Sequence, residues 1–586
     1  MFLITTADER SWKEDEKVMF LGEWCKIYSR RHKWKKYEYN TIPYHWSDRK
    51  RFFQEHTILT TIYEKYLIEL SSKLNKIHNT NYSTRYWRIV IGPWLRHFID
   101  VIFDRYSSIK SAINCECITN TWIISRDEEY LVPKDFEQFY SNIINDSWNH
   151  HIYGEIIKLT NGFNYSIKKD NVPSKRMSLN VSDFNIIKSI KTLLLNNYSN
   201  LIPDRLNKIV FVSSYFSHKR DLMKLQISLN QIPYLFSPII EIPNIPANFR
   251  IRNQLMIDSY STEFEHILNK IIPHQLPKSY LETFTAIQLN VDKRFPKKAK
   301  EIFTANAYSH DDGFKIWAGG LTKIGTKLLI GQHGGNLGTA LWEQREDHQI
   351  AISDKYYSWG WDRQNCSNIK PMPATKLVHL KNNMRSQNFG PILITLASFP
   401  RYFYCSFSMP VASQALDCYS QQVDLLNMLD QNILKITKIR LNTPDHGWEL
   451  KERFSADGFG NIVEGTDIKL LDRLKKCRLC IATQNATVFL ETFTANFPTI
   501  IIWNPEYYEI RDSAKGYFYE LEKVGILHYT PKSASILLNK IYNNPMKWWK
   551  QDMIQRAKNR FCERYAYVGE NWMAEWRGEL SPFVEG

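Results

Sequence analysis

Short apolar runs that stop at charged or small polar residues recur along this chain, and they alternate with stretches whose apolar positions follow a helical period. Phe2-Leu3-Ile4-Thr5-Thr6 starts almost at residue 1 and ends at Asp8-Glu9-Arg10. A strand ending in charged residues suits an α/β domain, where functional groups sit beyond strand carboxyl ends. A second run, 18–21, ends at Gly22-Glu23-Trp24-Cys25. Leu59, Ile62, Tyr66 and Ile68 recur near helical spacing and predict a helix over 49–80; the pattern predicts others over 84–115 and 134–160. Residues 208–213 read as a buried strand, 216–230 as a helix and 302–305 as a short strand. The span 232–246 carries Pro233, Pro238, Pro243 and Pro246, which predicts extended or looped chain.

From about residue 325 the alternation is cleaner. Strands are predicted at 327–330, 356–361, 391–396, 436–441, 479–483 and 498–503, with helices over 414–430 and from Asn485 onward. Residues 363–389 are polar and read as a long loop, and 534–575 as helical. Strand and helix in turn, with short connections, predict a parallel Rossmann-like sheet.

A length of 586 residues exceeds what one core supports, so two α/β domains are expected. We place an acceptor-side domain with helical insertions at 1–320, a nucleotide-sugar-binding domain at 321–550, and a C-terminal helical segment at 551–586 that packs back on the first. The net charge of +15 admits nucleic acid, anionic membrane or phosphorylated substrate. The cations are dispersed, with no recognisable reading element, so nucleic acid is not expected. The densest run, Arg30-Arg31-His32-Lys33-Trp34-Lys35-Lys36, suits a solvated face or contact with anionic lipid head groups. Nine scattered cysteines make no disulfide framework, and the lone Cys477-Arg478-Leu479-Cys480 pair makes no zinc site. No metal or resident cofactor is expected. The N-terminus lacks a signal peptide's basic and apolar regions, and no run approaches the ~20 apolar residues of a membrane span. A cytoplasmic protein, peripheral at the inner membrane face, is expected.

Chemistry concentrates at strand exits. In Thr483-Gln484-Asn485-Ala486-Thr487, continuing to Glu491, a strand stops and a helix starts. Asn485 reads as the N-cap. The helix start favours a phosphate, Thr487 adds a hydroxyl, and Glu491 on the same face can accept ribose hydroxyls. A capped packing helix is the alternative. In Gly331-Gln332-His333-Gly334-Gly335-Asn336-Leu337-Gly338, four glycines in eight residues demand sharp bends or close approach. Such turns bind anions, and His333 can donate to a phosphate. The spacing is neither Walker nor GxGxxG. The acid-rich 342–354 contributes Glu346 and His348 as acid/base candidates, against a reading as solvated charge. Glu9, Glu23, Asp48 and Arg49 stand where an acceptor-side base or contact would be.

Together these segments resemble a family of transferases encoded in bacterial O-antigen and surface-carbohydrate gene clusters. The matching stretches are 2–12, 20–25, Tyr44 to Arg49, 85–95, Trp148-Asn149-His150, Gln332 to Gly335, Glu346 to His348, Ile352 to Asp354, Trp359-Gly360-Trp361 and Asn485 to Glu491. The resemblance implies a GT-B fold, two Rossmann-like domains facing across a cleft, with no metal needed. Its C-terminal half is similar to Kdo and nonulosonate transferases with CMP donors, and also to polyol-phosphate transferases with CDP donors. It implies that His333, Asn485 and Thr487, with Gly334, Gly335 and Asn336, hold the donor phosphate, that Glu491 holds the ribose, and that Glu9 or Glu346 is the base or nucleophile. This chain departs at Arg10 and Gln349, where the family has acids, and at Asn336, where it has glycine. The expected activity is transfer of a sugar from a CMP donor to a saccharide or lipid-linked saccharide. Polyol-phosphate transfer, or saccharide or nucleic-acid binding without catalysis, are the alternatives.

Overall fold

The computed structural model describes residues 1–14, 16–169, 206, 208–236, 240–381, 384, 386, 387 and 389–585. The fold is α/β and, among the described residues, contains three parallel sheets. The first comprises β1 (Phe2–Ile4), β2 (Val18–Phe20), β3 (Tyr39–Thr41), β4 (Asn120–Ser125) and β5 (Asn164–Lys169), in the order β3-β2-β1-β4-β5. The second comprises β6 (Ile209–Val212), β7 (Glu301–Thr304), β8 (Lys327–Gly331), β9 (Lys355–Ser358) and β10 (Ile369–Pro371), adjacent in chain order. The third comprises β11 (Ile392–Thr395), β12 (Thr437–Arg440), β13 (Val463–Glu464), β14 (Leu479–Ala482), β15 (Thr499–Ile502) and β16 (Leu527–His528), in the order β13-β12-β11-β14-β15-β16. The central strands Glu301–Thr304, Ile392–Thr395, Leu479–Ala482 and Thr499–Ile502 are buried throughout, as parallel strands covered on both faces must be.

Strand order reverses between β1 and β4 in the first sheet and between β11 and β14 in the third; the second runs one way only. A reversal opens a crevice at the carboxyl edge where ligands bind. The expected Rossmann-like pair is the second and third sheets. The boundary at 320/321 is corrected: it falls between β7 and β8, which pair as neighbours from Glu301↔Lys327 to Thr304↔Ile330. The apolar pattern marked these strands but could not show which neighbours share a sheet.

Two helices, Arg49–His78 and Thr84–Ile113, pair beside the first sheet, and the second also packs on helix Asp312–Lys323 of the second sheet. The segment predicted as one helix over 134–160 is two, Phe136–Asn142 and Asp146–Thr160, each with its own side-chain cap. The 551–586 segment divides into two helices, of which the second packs on residues of 1–320 and the first on the third sheet. Asp552–Tyr565 lays Phe561 against Phe489, Phe493 and Phe518 of the third sheet's helices. Trp572–Glu585 returns to the second sheet, where Trp576 meets Phe303 and Tyr357. Glu579 pairs there with Lys355 at 2.8 Å and with Lys370. Of the predicted loops, 232–246 and 363–389 lie partly outside the described residues.

Candidate functional site

β8 feeds directly into the glycine-rich loop, which has a built floor. The Gln332 side-chain oxygen accepts from the Trp359 amide and the Trp361 indole, both at 2.8 Å. That explains the Trp359-Gly360-Trp361 motif as loop support. Gly338, at φ +82°, lies so close to the Trp361 ring that an added Cβ would come within 2.5 Å of it. Its N–H donates to Glu346 at 2.6 Å. Gly334, at φ +144°, touches the third sheet: a Cβ there would sit 2.5 Å from Thr487 Oγ1. No side chain fits that backbone and that gap together.

From the third sheet, β14 ends at Ala482, and helix Thr487–Thr494 begins five residues on. Asn485 is not its N-cap. Ala486 holds that position, with no side-chain cap. The Asn485 amide is buried and reaches across to Thr339, donating to its Oγ1 at 3.1 Å. The Gly335 N–H donates to Thr487 Oγ1 at 2.8 Å. The two motifs, 152 residues apart, thus meet where the carboxyl edges of the second and third sheets converge.

Several polar atoms at this junction have no protein partner. His333 Nδ1 is buried and unbonded, as are both amide atoms of Asn336, whose side chain is 2% exposed. An unsatisfied buried polar group costs about 1–3 kcal/mol, so its persistence asks for a role. Burial is the main cause pushing the His333 pKa down to about 4, and the cations Arg345 and Lys376 push the same way. His333 is therefore neutral at pH 7. Glu491 is raised by burial, and Lys376, 3.5 Å away, pulls it back. Lys376, Thr339 and Arg345 belong to the site without having been singled out. Lys376 lies in a polar loop whose composition hid it, and Thr339 follows the last loop glycine. Arg345 was masked by the acids around it.

A crevice also opens at the β11/β14 reversal, lined by Ser398, Phe399, Tyr419, Asp445, Trp448 and Thr483. No single motif announced it, since these residues come from three strand exits and from helix Gln414–Asn427.

The remaining candidates lie elsewhere. Glu346 is 1% exposed and committed to the Gly338 amide and to Arg511 at 2.8 Å. These contacts make it a buttress of the loop. His348 packs against Gly92 of helix Thr84–Ile113, and burial lowers its pKa to about 3. Asp48 caps helix Arg49–His78, accepting from the amides of Lys50 and Arg51. Arg49 bridges to Glu509 at 2.7 and 2.9 Å. Asp48 thus starts a helix, and Arg49 ties the first sheet's layer to the third. Glu23 pairs with Lys26 at 2.8 Å. Glu9, at the first sheet's carboxyl edge, meets Arg30 at 3.3 Å and Lys33. That edge faces the third sheet, since Ser29 donates to Glu449 at 2.6 and 2.7 Å and Arg401 pairs with Asp146 at 2.7 Å.

Among the described residues, no group of three or more His, Cys, Asp or Glu could hold a metal ion, and no helix is long and apolar enough to cross a membrane. Fold and site define the class: an α/β protein with a polar, partly unsatisfied grip between the carboxyl edges of two parallel sheets. The model of the LIC12162 family transferase matches residues 1–580, and the chain belongs to that family of transferases. Comparison with curated proteins gave no match. Among solved structures the chain is similar to an S. aureus MnaA–UDP co-structure, at 8% identity over 63% of this chain and 94% of that one, with a TM-score of 0.34. It is similar to a glycosyltransferase from Rickettsia africae, at 10% identity over 64% and 97%, TM-score 0.34. It is also similar to WaaG, a glycosyltransferase involved in lipopolysaccharide biosynthesis, at 11% identity over 64% and 99%, TM-score 0.29.

Proposed function

We propose that this transferase is a GT-B glycosyltransferase that moves a sugar from a nucleotide donor held between the second and third sheets. The observation that carries the reading is the meeting of the His333 loop with Thr487, through Gly334 and Gly335, with His333 Nδ1 and the Asn336 amide buried and unbonded beside an uncapped helix start. An anionic phosphate suits that place: amide dipoles, a hydroxyl and an imidazole converge on it. As the glycosidic bond to the leaving phosphate breaks, negative charge grows on the phosphate oxygens, and these donors stabilise it. The nucleoside lies along the third sheet's carboxyl edge, and Glu491, four residues past Thr487, takes the ribose hydroxyls. The likeness of the His333 and Asn485–Glu491 segments to CMP-dependent transferases supports CMP as nucleotide and Kdo or a nonulosonic acid as sugar. The acceptor, a surface-polysaccharide or O-antigen saccharide, enters from the first sheet's edge, where Glu9 is the candidate base.

Two measurements test this. A thermal-shift screen against CMP, CDP, UDP and GDP is expected to show selective stabilisation by CMP, since a ligand of the folded state stabilises by mass action. Single H333A and E491A variants are expected to lose donor turnover, and wild-type rates in both would sink the assignment.

The same reading places the protein against an anionic membrane through Arg30, Arg31, His32, Lys33, Lys35 and Lys36, all exposed, with Trp34 buried beneath them. Each cation near such a surface contributes about 1 kcal/mol. Co-sedimentation with anionic vesicles is expected, and should be lost in R31E/K35E/K36E; equal binding to neutral vesicles speaks against it.

A further inference from the structure

Arg345 sits in the first turn of helix Gln344–Ile352, one residue before the buttress Glu346. It is fixed by Glu343, which is fully buried and acts as that helix's N-cap. Glu343 takes the Arg345 amide at 3.1 Å, Nε at 2.8 Å and Nη2 at 2.7 Å. The guanidinium also lies over the Phe407 ring, 5.4 Å from its centroid. Two hydrogen bonds on one edge and a ring on one face leave the outer edge. Among the described residues, Nη1 has no hydrogen-bond partner, and 39% of the side chain stays open to solvent.

The charge of Arg345 bears on His333, His310, Tyr308 and Tyr404, of which Tyr308 is buried. Tyr308 in turn lies near Tyr215, whose ring is 5.8 Å from that of His333. A guanidinium held rigid by a buried carboxylate, open on one edge, thus lies within electrostatic reach of His333. Such an edge matches a planar carboxylate through two parallel N–H···O bonds, and holding it in advance limits the entropy lost on binding.

We propose that Arg345 is a specificity residue whose outer edge binds a carboxylate on the transferred sugar, leaving the nucleotide phosphate to His333 and Thr487. This rests on the donor reading above and deepens it: the grip then selects sugars that carry an acid beside the anomeric carbon. A donor without a carboxylate leaves the Arg345 edge unpaired and loses one charge-assisted contact.

The test compares CMP with CMP-N-acetylneuraminate, which adds a sugar carboxylate, by titration calorimetry. The wild type is expected to bind the sugar nucleotide at least about tenfold more tightly than CMP, the range of a charge-assisted hydrogen bond. R345A alone would strand Glu343 as a buried, unpaired charge, so the principal variant is E343Q/R345Q, which removes both charges together. It is expected to bring the ratio near one while the Kd for CMP changes less than about threefold. R345K, which keeps the charge without the fork, is expected to keep only part of the preference and serves if the double variant fails to fold. An unchanged ratio in the variants, or parallel loss of both ligands, overturns the proposal and leaves the donor reading standing. A wild type that binds neither compound overturns both.

Discussion

At the strand-order reversal of the first sheet, His150, Asp146 and Glu9 are engaged. His150 joins the ends of β1 and β4: its Nε2 accepts from the Ile124 amide and its Nδ1 donates to Thr5 Oγ1, both at 3.0 Å. Asp146 takes the Ala7 amide and the Arg401 guanidinium, and Glu9 holds two cations. At the third sheet's edge, where the second sheet's loop arrives, the helix start lacks a cap and His333 and Asn336 keep buried atoms without partners. Both edges are polar and both are topologically suited to a ligand. What separates them is satisfaction. A buried network that is complete stabilises the fold, whereas an incomplete one leaves polar atoms open to a ligand or to water.

Three measurements press on that contrast. The largest effect is expected from H333A, a fall of about 10²–10³ in donor turnover, the usual effect of removing one donor to a developing anion. E23A, on the engaged edge, should stay within about threefold, and equal losses in the two would erase the distinction. Next, D146N should lower stability by about 1–3 kcal/mol in denaturant unfolding, by weakening a charged hydrogen-bond hub, with turnover per folded molecule unchanged. The smallest effect is in pH. The free His333 pKa is about 4, and a bound phosphate favours the imidazolium, so the bound-state pKa is higher and binding takes up a proton. Donor affinity should therefore rise as pH falls from 7 towards 5 and level off below about 4. H333N should flatten that slope, and a slope that persists in H333N would reassign the proton.

The same imidazole affects the fold in the opposite direction. Its folded pKa is depressed below the ordinary 6.5, so unfolding takes up a proton between 6.5 and 4. Its contribution to stability is complete above 6.5 and is lost as pH falls through that window. His97, His150, His151, His310 and His348 are lowered as well, to about 3 or 4, and act in the same direction.

The strands were legible because parallel strands are continuous apolar runs, and the two grip segments because each is a strand exit with an abrupt change to glycine or hydroxyl residues. Sheet membership was not legible. Pairing is a long-range choice, and nothing in Glu301–Thr304 or Lys327–Gly331 states that they adjoin. The contacts of Glu346 were not legible for a related reason, since a carboxylate after a glycine-rich loop looks the same whether it faces solvent or holds an amide. Thr339 and Lys376 escaped because their importance comes only from what lies opposite them. The Trp148-Asn149-His150 motif was recognisable, but its use was not: the three side chains bond Gln275, Arg105 and the β1/β4 ends.

The return of helix Trp572–Glu585 to the second sheet has a mechanical consequence. The chain passes between the second and third sheets twice, once between Pro371 and Ile392 and once between Tyr565 and Trp572. Two bodies joined at a single point can swing in any direction, but two pins define an axle. A second crossing leaves the two sheets fewer ways to part than a single one would, and so helps to keep Gly334 beside Thr487.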